Sequence, residues 1–254
     1  MRVIELLREH IRKIAEERGW LGEPVRVASS VKVRPLSPVE AIGKPDREDY
    51  PLLKGKEVMI EASFRGCRGQ AFTDQPGDFE GSVADLLGLE LETNFQRAVF
   101  VAASNAIMRH LGEIKGTVHC RYRGPAMCAQ ELPRWIRRNF PSARRVGLVG
   151  LQPGMLESLS LAFGPGNVKV VDLNPENIGT VKSGVEIWDG ERETERVFRE
   201  SDLVLVSGST AVNGTLDGIL EMAGRYDRPV VIYGVTGAGA AELLKLRRFC
   251  PFSE

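Results

Sequence analysis

Three cysteines and a histidine hold the side chains best suited to chemistry. Val118-His119-Cys120 is followed eight residues later by Cys128, and Cys250 lies within Arg248-Phe-Cys-Pro251. Thiolate and imidazole suit soft or borderline metals, so His119, Cys120, Cys128 and Cys250 are candidate ligands of a divalent transition metal. The spacing matches no paired C-x₂-C zinc motif. Adjacent His119 and Cys120 point to opposite faces if extended, and buried free thiols are the competing reading. Cys67 sits between Arg65 and Arg68, which would lower its pKa; a structural loop cysteine is the plainer reading.

Four polar loops form a second set, each following an apolar run. Gly150-Leu-Gln-Pro-Gly154 has the glycines that let a ligand approach the backbone, and the next helix would aim free N–H groups at an anion. The spacing is not G-x-G-x-x-G, and a packing turn would use the same residues. Asp172-Leu-Asn174 stands where nucleotide-binding sheets hold ribose hydroxyls, although either residue could cap the next segment. Seven of the nine residues from Ser207 to Thr215 are Gly, Ser, Thr or Asn. A helix cap needs one such residue, so Ser209, Thr210, Asn213 and Thr215 read as a polar cradle. Thr236, in Gly234-Val-Thr-Gly-Ala-Gly239, belongs to the fourth loop. No serine-hydrolase elbow and no phosphate-binding P-loop is present.

These residues need elements to hold them. An amphipathic helix is expected over 2–18, then a strand with Val25, Val27, Val31 and Val33 alternating. Residues 35–51 are rich in proline and read as a loop. Glu57–Phe64 reads as a strand, 65–78 as a loop or tight hairpin, and 82–89 and 94–111 as helices, the latter capped by Thr93 or Asn94. From Arg144 the pattern changes. Buried strands at RRVGLVGL, 168–173, 202–208 and 229–234 alternate with helices at 155–163, 195–200, 216–223 and 240–246. That alternation predicts a Rossmann-like, doubly wound, mostly parallel sheet, with the strand C-termini on one edge. The fold class is therefore α/β, with a small α+β domain at 1–116 and a ligand-binding Rossmann-like domain at 117–254.

Composition narrows the partners. Lys+Arg and Asp+Glu are each 34, so no global basic excess is available for nucleic acid. No apolar run approaches the roughly 18 residues of a membrane helix, and the charged N-terminus lacks a signal-peptide core. A cytoplasmic protein is expected, with a small-molecule ligand and a second copy of the chain as its partners. The arginines at 65–68 and 134–145 are expected to make a locally anion-friendly pocket despite the zero sum.

Motifs along nearly the whole chain resemble the heavy-metal chelation domain family. They are Gly69-Gln-Ala-Phe-Thr-Asp74, Arg97 with Asn105-Ala106, Val118-His-Cys120, Val146-Gly-Leu-Val-Gly150 and Val171-Asp-Leu-Asn174. The segment from Asp202 to Thr210, Asn213-Gly-Thr-Leu-Asp217 and Phe249-Cys-Pro251 complete the set. The resemblance implies an N-terminal domain similar to that of enolases, joined to a Rossmann-like domain, with the active site in the cleft between. It implies no enolase chemistry, whose metal ligands belong to a barrel missing here. It adds Gly69, Thr73, Arg97 and Asn105 as residues that close over a ligand, and it strengthens the metal reading of the thiols.

The leading expectation is a cleft that binds a small anionic or metal-chelating compound. Two alternatives stand beside it: an enzyme using S-adenosylmethionine or NAD(P) at Gly150, Gly154 and Asp172, and a non-enzymatic metal-binding protein using the thiols. An oligomeric scaffold is the remaining reading. The sequence singles out no general base or nucleophile.

Overall fold

A computed structural model describes residues 3–21, 30–54 and 57–254. The expected strand positions Val25 and Val27 lie outside these residues. The chain begins with helix α1 (Val3–Glu17), whose Val3, Leu7, Ile11 and Ile14 are buried at helical spacing. Strand β1 (Ser30–Pro35) follows, then short helices α2 (Pro38–Ile42) and α3 (Pro51–Lys54) within the expected loop. Ser37 and Glu40 cap α2 reciprocally, which explains helix in a proline-rich stretch.

Strands β2 (Val58–Phe64) and β3 (Cys67–Thr73) form a hairpin with Phe64 opposite Cys67. Its two turn residues, Arg65 and Gly66, both have positive φ, at 46° and 81°. That is the backbone a two-residue hairpin turn requires. With β4 (Phe79–Ser82) these strands form an antiparallel sheet in the order β3-β2-β1-β4. Helix α4 (Val83–Leu87) is short, and α5 (Asn94–His110) begins at a Thr93–Gln96 capping box. Every residue of α5 from Ala98 to Met108 is buried, because β2 and β3 lie on one side and α1 on another.

The second half has α6 (Gly124–Asn139), β5 (Val146–Val149), α7 (Pro153–Phe163), β6 (Val168–Asp172), β7 (Val181–Lys182) and β8 (Val185–Asp189). It continues with α8 (Thr194–Glu200), β9 (Leu203–Ser207), α9 (Leu216–Arg225), β10 (Val230–Tyr233), α10 (Ala238–Leu243) and β11 (Arg247–Phe249). The seven-stranded sheet has the order β11-β10-β9-β5-β6-β8-β7, parallel except for β7. From β8 to β11 this is the doubly wound order 3-2-1-4-5-6 read along the sheet. Side chains of α6 and α7 pack with one set of strand residues (Val146, Leu148, Leu205). Residues of α8, α9 and α10 pack with the alternate set (Val149, Val204, Val206). The fold is therefore mixed α/β, with a mostly parallel sheet and a separate antiparallel one. Strands β7, β8 and β11 were not expected. Val185–Asp189 alternates with charge, and Arg247–Phe249 is only three residues long.

Candidate functional site

The strands β5, β6, β9 and β10 end on one edge, and the order reverses between β5 and β9. Such a reversal opens a crevice beyond the strand ends. Here a cleft of about 1300 Å³ lies there. Its walls are the four strand-end loops together with Tyr50, Glu57 and the Phe72–Asp74 end of β3 from the first half of the chain.

The loops differ in what they leave available. After β5, Gly150 turns with φ 90°, and the Gln152 side-chain oxygen caps Met155 N–H at the start of α7. The Asp172 carboxylate accepts from Leu151 N–H (2.8 Å), Asn174 N–H (2.9 Å) and the Asn177 side-chain amide (2.9 Å). Asp172 thus fastens the 150 and 172–177 loops together and takes up the Leu151 N–H of the loop after β5. The Asn174 side chain is likewise engaged, accepting from Glu176 N–H at 3.1 Å.

The loop after β9 is arranged differently. Ser207 and Ser209 share a hydroxyl hydrogen bond of 2.8 Å, and the Thr210 hydroxyl donates to Ser207 O at 2.7 Å. These bonds shape a single 3₁₀ turn over Gly208–Ala211. Asn213 and Thr215, beyond it, line the cleft. Thr215 precedes α9 without capping it through its side chain. Asp217 accepts from Val3 N–H at 2.8 Å, which ties α9 to the start of α1. In the fourth loop Thr236 accepts from Phe72 N–H at 3.0 Å, bonding the two walls to each other. The Thr73 hydroxyl accepts from Gln75 N–H at 3.0 Å.

The electrostatics of the cleft are acidic. Seven carboxylates and only three basic side chains (Lys54, Lys182 and Arg192) line it among the described residues. Glu57 opens on the cleft, and desolvation by the surrounding walls together with the charges of Asp172 and Asp74 raises its carboxyl to about 7. The arginines expected to make the pocket anion-friendly are engaged elsewhere. Arg65 stacks over Trp20 at 4.7 Å, Arg134 pairs with Glu131 at 3.1 Å, and Arg145 pairs with Asp202 at 2.7 Å. None of them lines the cleft.

A sulfur-rich corner forms another part of the wall. His119, Cys120, Cys128 and Cys250 all line the cleft. The His119 backbone N–H donates to the Gln70 side chain at 2.7 Å, and its ring meets Phe72 edge-on at 5.8 Å. Burial lowers the imidazole pKa to about 4, so it is neutral at pH 7, and its Nδ1 is buried without a partner. The Tyr50 hydroxyl is also buried and comes near Gln152 without a well-formed hydrogen bond. The Cys120 and Cys128 thiols act on each other, which raises the pKa of Cys120 and lowers that of Cys128. Among the described residues no three His, Cys, Asp or Glu side chains come together as a metal-ligating group. His119, Cys120, Cys128 and Cys250 share a wall without forming a ready four-ligand cage.

Of the other candidates, Thr73, Gly150, Asp172, Asn174, Ser209, Thr210, Asn213, Thr215 and Thr236 line the cleft; Gly69, Arg97, Asn105 and Gly154 do not. A Cβ on Gly69 would lie 2.3 Å from Ala102 O, so this glycine lets β3 lie against α5. Arg97 donates to the carbonyls of Leu91 (2.9 Å), Glu92 (2.8 Å) and Val212 (2.5 Å). Asn105, fully buried, donates to Val235 O and Thr236 O at 3.2 Å and accepts from Gly239 N–H at 2.9 Å. Arg97 and Asn105 thus fix the 212 and 235–239 loops from behind. Gly154 packs α7 near Ala129 of α6. Cys67 begins β3 and is absent from the cleft wall. Sequence reasoning missed Glu57, Tyr50 and Gln152 as wall residues. Only tertiary folding brings Glu57 and Tyr50 to the strand ends, and the cap made by Gln152 uses a residue that is not a preferred N-cap.

Residues 136–249 match the sequence model of the DUF364 family, described as "Putative heavy-metal chelation". No curated protein matches the chain. The fold is similar to that of a DUF364-family protein of unknown function from Pyrococcus horikoshii, with TM-score 0.57 and 18% identity over 96% of this chain and 82% of that one. A second DUF364-family protein of unknown function, from Desulfitobacterium hafniense DCB-2, aligns with TM-score 0.49 and 13% identity over 74% of this chain and 72% of its own. The sequence model that matches is that of the family the motifs resemble, and the matched residues include the strand-end loops.

Proposed function

We propose that the cleft binds a small metal-chelate complex, with residues 1–116 and 117–254 as two domains forming its walls. The observation that carries this reading is the acidic cleft at the β5/β9 reversal, with Asn213 and Thr215 exposing hydrogen-bonding side chains along one wall. Of the two expected ligand classes, the carboxylates favour one that brings a cation. A bare polyanion would meet Glu57, Asp74 and Asp172 with few basic side chains to offset them. Asn213 and Thr215 hydrogen-bond the organic part, and the carboxylates face the cationic centre. The cofactor alternative is less favoured, because Asp172 and Gln152 already occupy donors of the loop that would hold a phosphate. The family description supports a metal-related role. A cytoplasmic setting accords with four cysteines that stand as free thiols.

The probe is the 1:1 nickel(II)–histidine complex, which carries one net positive charge. Calorimetric titration should give one saturable site. Asn213→Ala combined with Thr215→Val should weaken it more than tenfold with the melting temperature unchanged. Equal affinity in the double variant, or no binding by the native protein, would refute the reading.

A further inference from the structure

The sulfur corner carries its own site. Cys128 lies on α6 four residues after Gly124, so both share one helix face. Gly124 has no side chain, and a Cβ there would lie 2.6 Å from Cys120 Cβ and 3.3 Å from Cys120 Sγ. The Cys120 side chain therefore occupies the face on which Cys128 follows. Each residue is 5% exposed, and both line the cleft wall. In the same wall His119 Nδ1 and the Tyr50 hydroxyl are buried without partners, which marks this corner as polar and incompletely satisfied.

We infer that Cys120 and Cys128 form a two-thiolate site for a soft cation, Cu(I) or Hg(II), opening on the cleft. Thiolate sulfur selects soft metals. The absence of a third ready ligand among the described residues separates this pair from a tetrahedral zinc site, which needs four. On loading, two S–H bonds break, two metal–sulfur bonds form, and two protons pass to solvent. Hg(II) leaves the buried site neutral, whereas Cu(I) leaves one negative charge. Cys250, which lines the same wall, stands by as a neighbour. The inference is independent of the chelate reading, because the thiols and the Asn213–Thr215 loop lie on different elements and the test uses metal alone.

The test is Cu(I) transfer from bicinchoninate to the full chain under reducing, anaerobic conditions. One Cu(I) per chain is expected. Cys120→Ser or Cys128→Ser should each weaken binding at least a hundredfold, Cys250→Ser tenfold or less, and Cys67→Ser not at all. Undiminished binding by the Cys120→Ser/Cys128→Ser double variant would overturn the site, as would loss of binding on Cys67→Ser. Iodoacetamide footprinting of the unsubstituted protein gives a check that needs no variant. Cu(I) or Hg(II) should protect Cys120 and Cys128 and leave Cys67 reactive, and alkylation of the pair at the unprotected rate would refute the inference.

Discussion

Strand-end loops of one sheet contain the same kinds of residue, yet one pair of them behaves in the opposite way to a third. In the 150–154 and 172–177 pair, the polar groups line the cleft but are already bonded to the loops themselves: Asp172 accepts three hydrogen bonds and Gln152 caps α7. In the 207–215 loop, the serines and Thr210 build the turn, while Asn213 and Thr215 line the cleft. A loop's composition states which donors and acceptors it owns. Whether they are left for a ligand depends on the backbone groups nearby that also need partners.

Substitutions should separate the two kinds of loop. Asp172→Ala should have the largest effect on stability, about 3 kcal/mol, because three donors to a carboxylate lose their acceptor. Asn105→Ala should cost about 2 kcal/mol by stranding buried partners behind the 235–239 loop. Thr236→Val, which removes the acceptor of Phe72 N–H, should cost about 1 kcal/mol. Urea denaturation of each variant supplies these values. Asn213→Ala and Thr215→Val should each change stability by less than about 0.5 kcal/mol, since neither removes a structural bond. If Asn213→Ala destabilises as much as Asp172→Ala, the contrast between the loops is wrong.

Glu57 sharpens the comparison through pH. Its carboxyl is raised to about 7 in the fold, against 4.5 when free of it. The folded state therefore holds a proton that the unfolded chain gives up earlier, and stability contributed by protonated Glu57 is lost as pH rises from about 4.5 to 7. Below that window the residue contributes no pH dependence. Glu57→Gln should flatten the fall in melting temperature across the window, which parallel thermal scans would detect. Binding of a cationic chelate should strengthen as pH rises through 7 in the unsubstituted protein and lose that rise in Glu57→Gln.

Much of the second sheet was legible because Val146–Val149, Leu203–Ser207 and Val230–Tyr233 are apolar runs buried on both faces. The same rule could not find β8, where Glu186 faces solvent, or the charged three-residue β11. Helix α5 was legible down to its cap, since Thr93 and Gln96 have capping-box spacing. The polar cradle was legible as composition, but the roles of its residues were not. Arg97 and Asn105 entered as ligand residues through the family resemblance alone. The structure instead spends them on backbone carbonyls of the 212 and 235–239 loops. The acidity of the cleft was hidden for a related reason. The arginines at 65–68 and 134–145 lie near the cleft residues in sequence but point to other partners, whereas Glu57 and Asp74 come to the strand ends only when the first sheet docks.

The most direct test of the central claim is anomalous diffraction from crystals grown with nickel(II)–histidine. The account expects one nickel peak inside the cleft beyond the ends of β5 and β9, with the histidine moiety against Asn213 and Thr215. Nickel confined to the outer surface, with the cleft filled only by water, would contradict it.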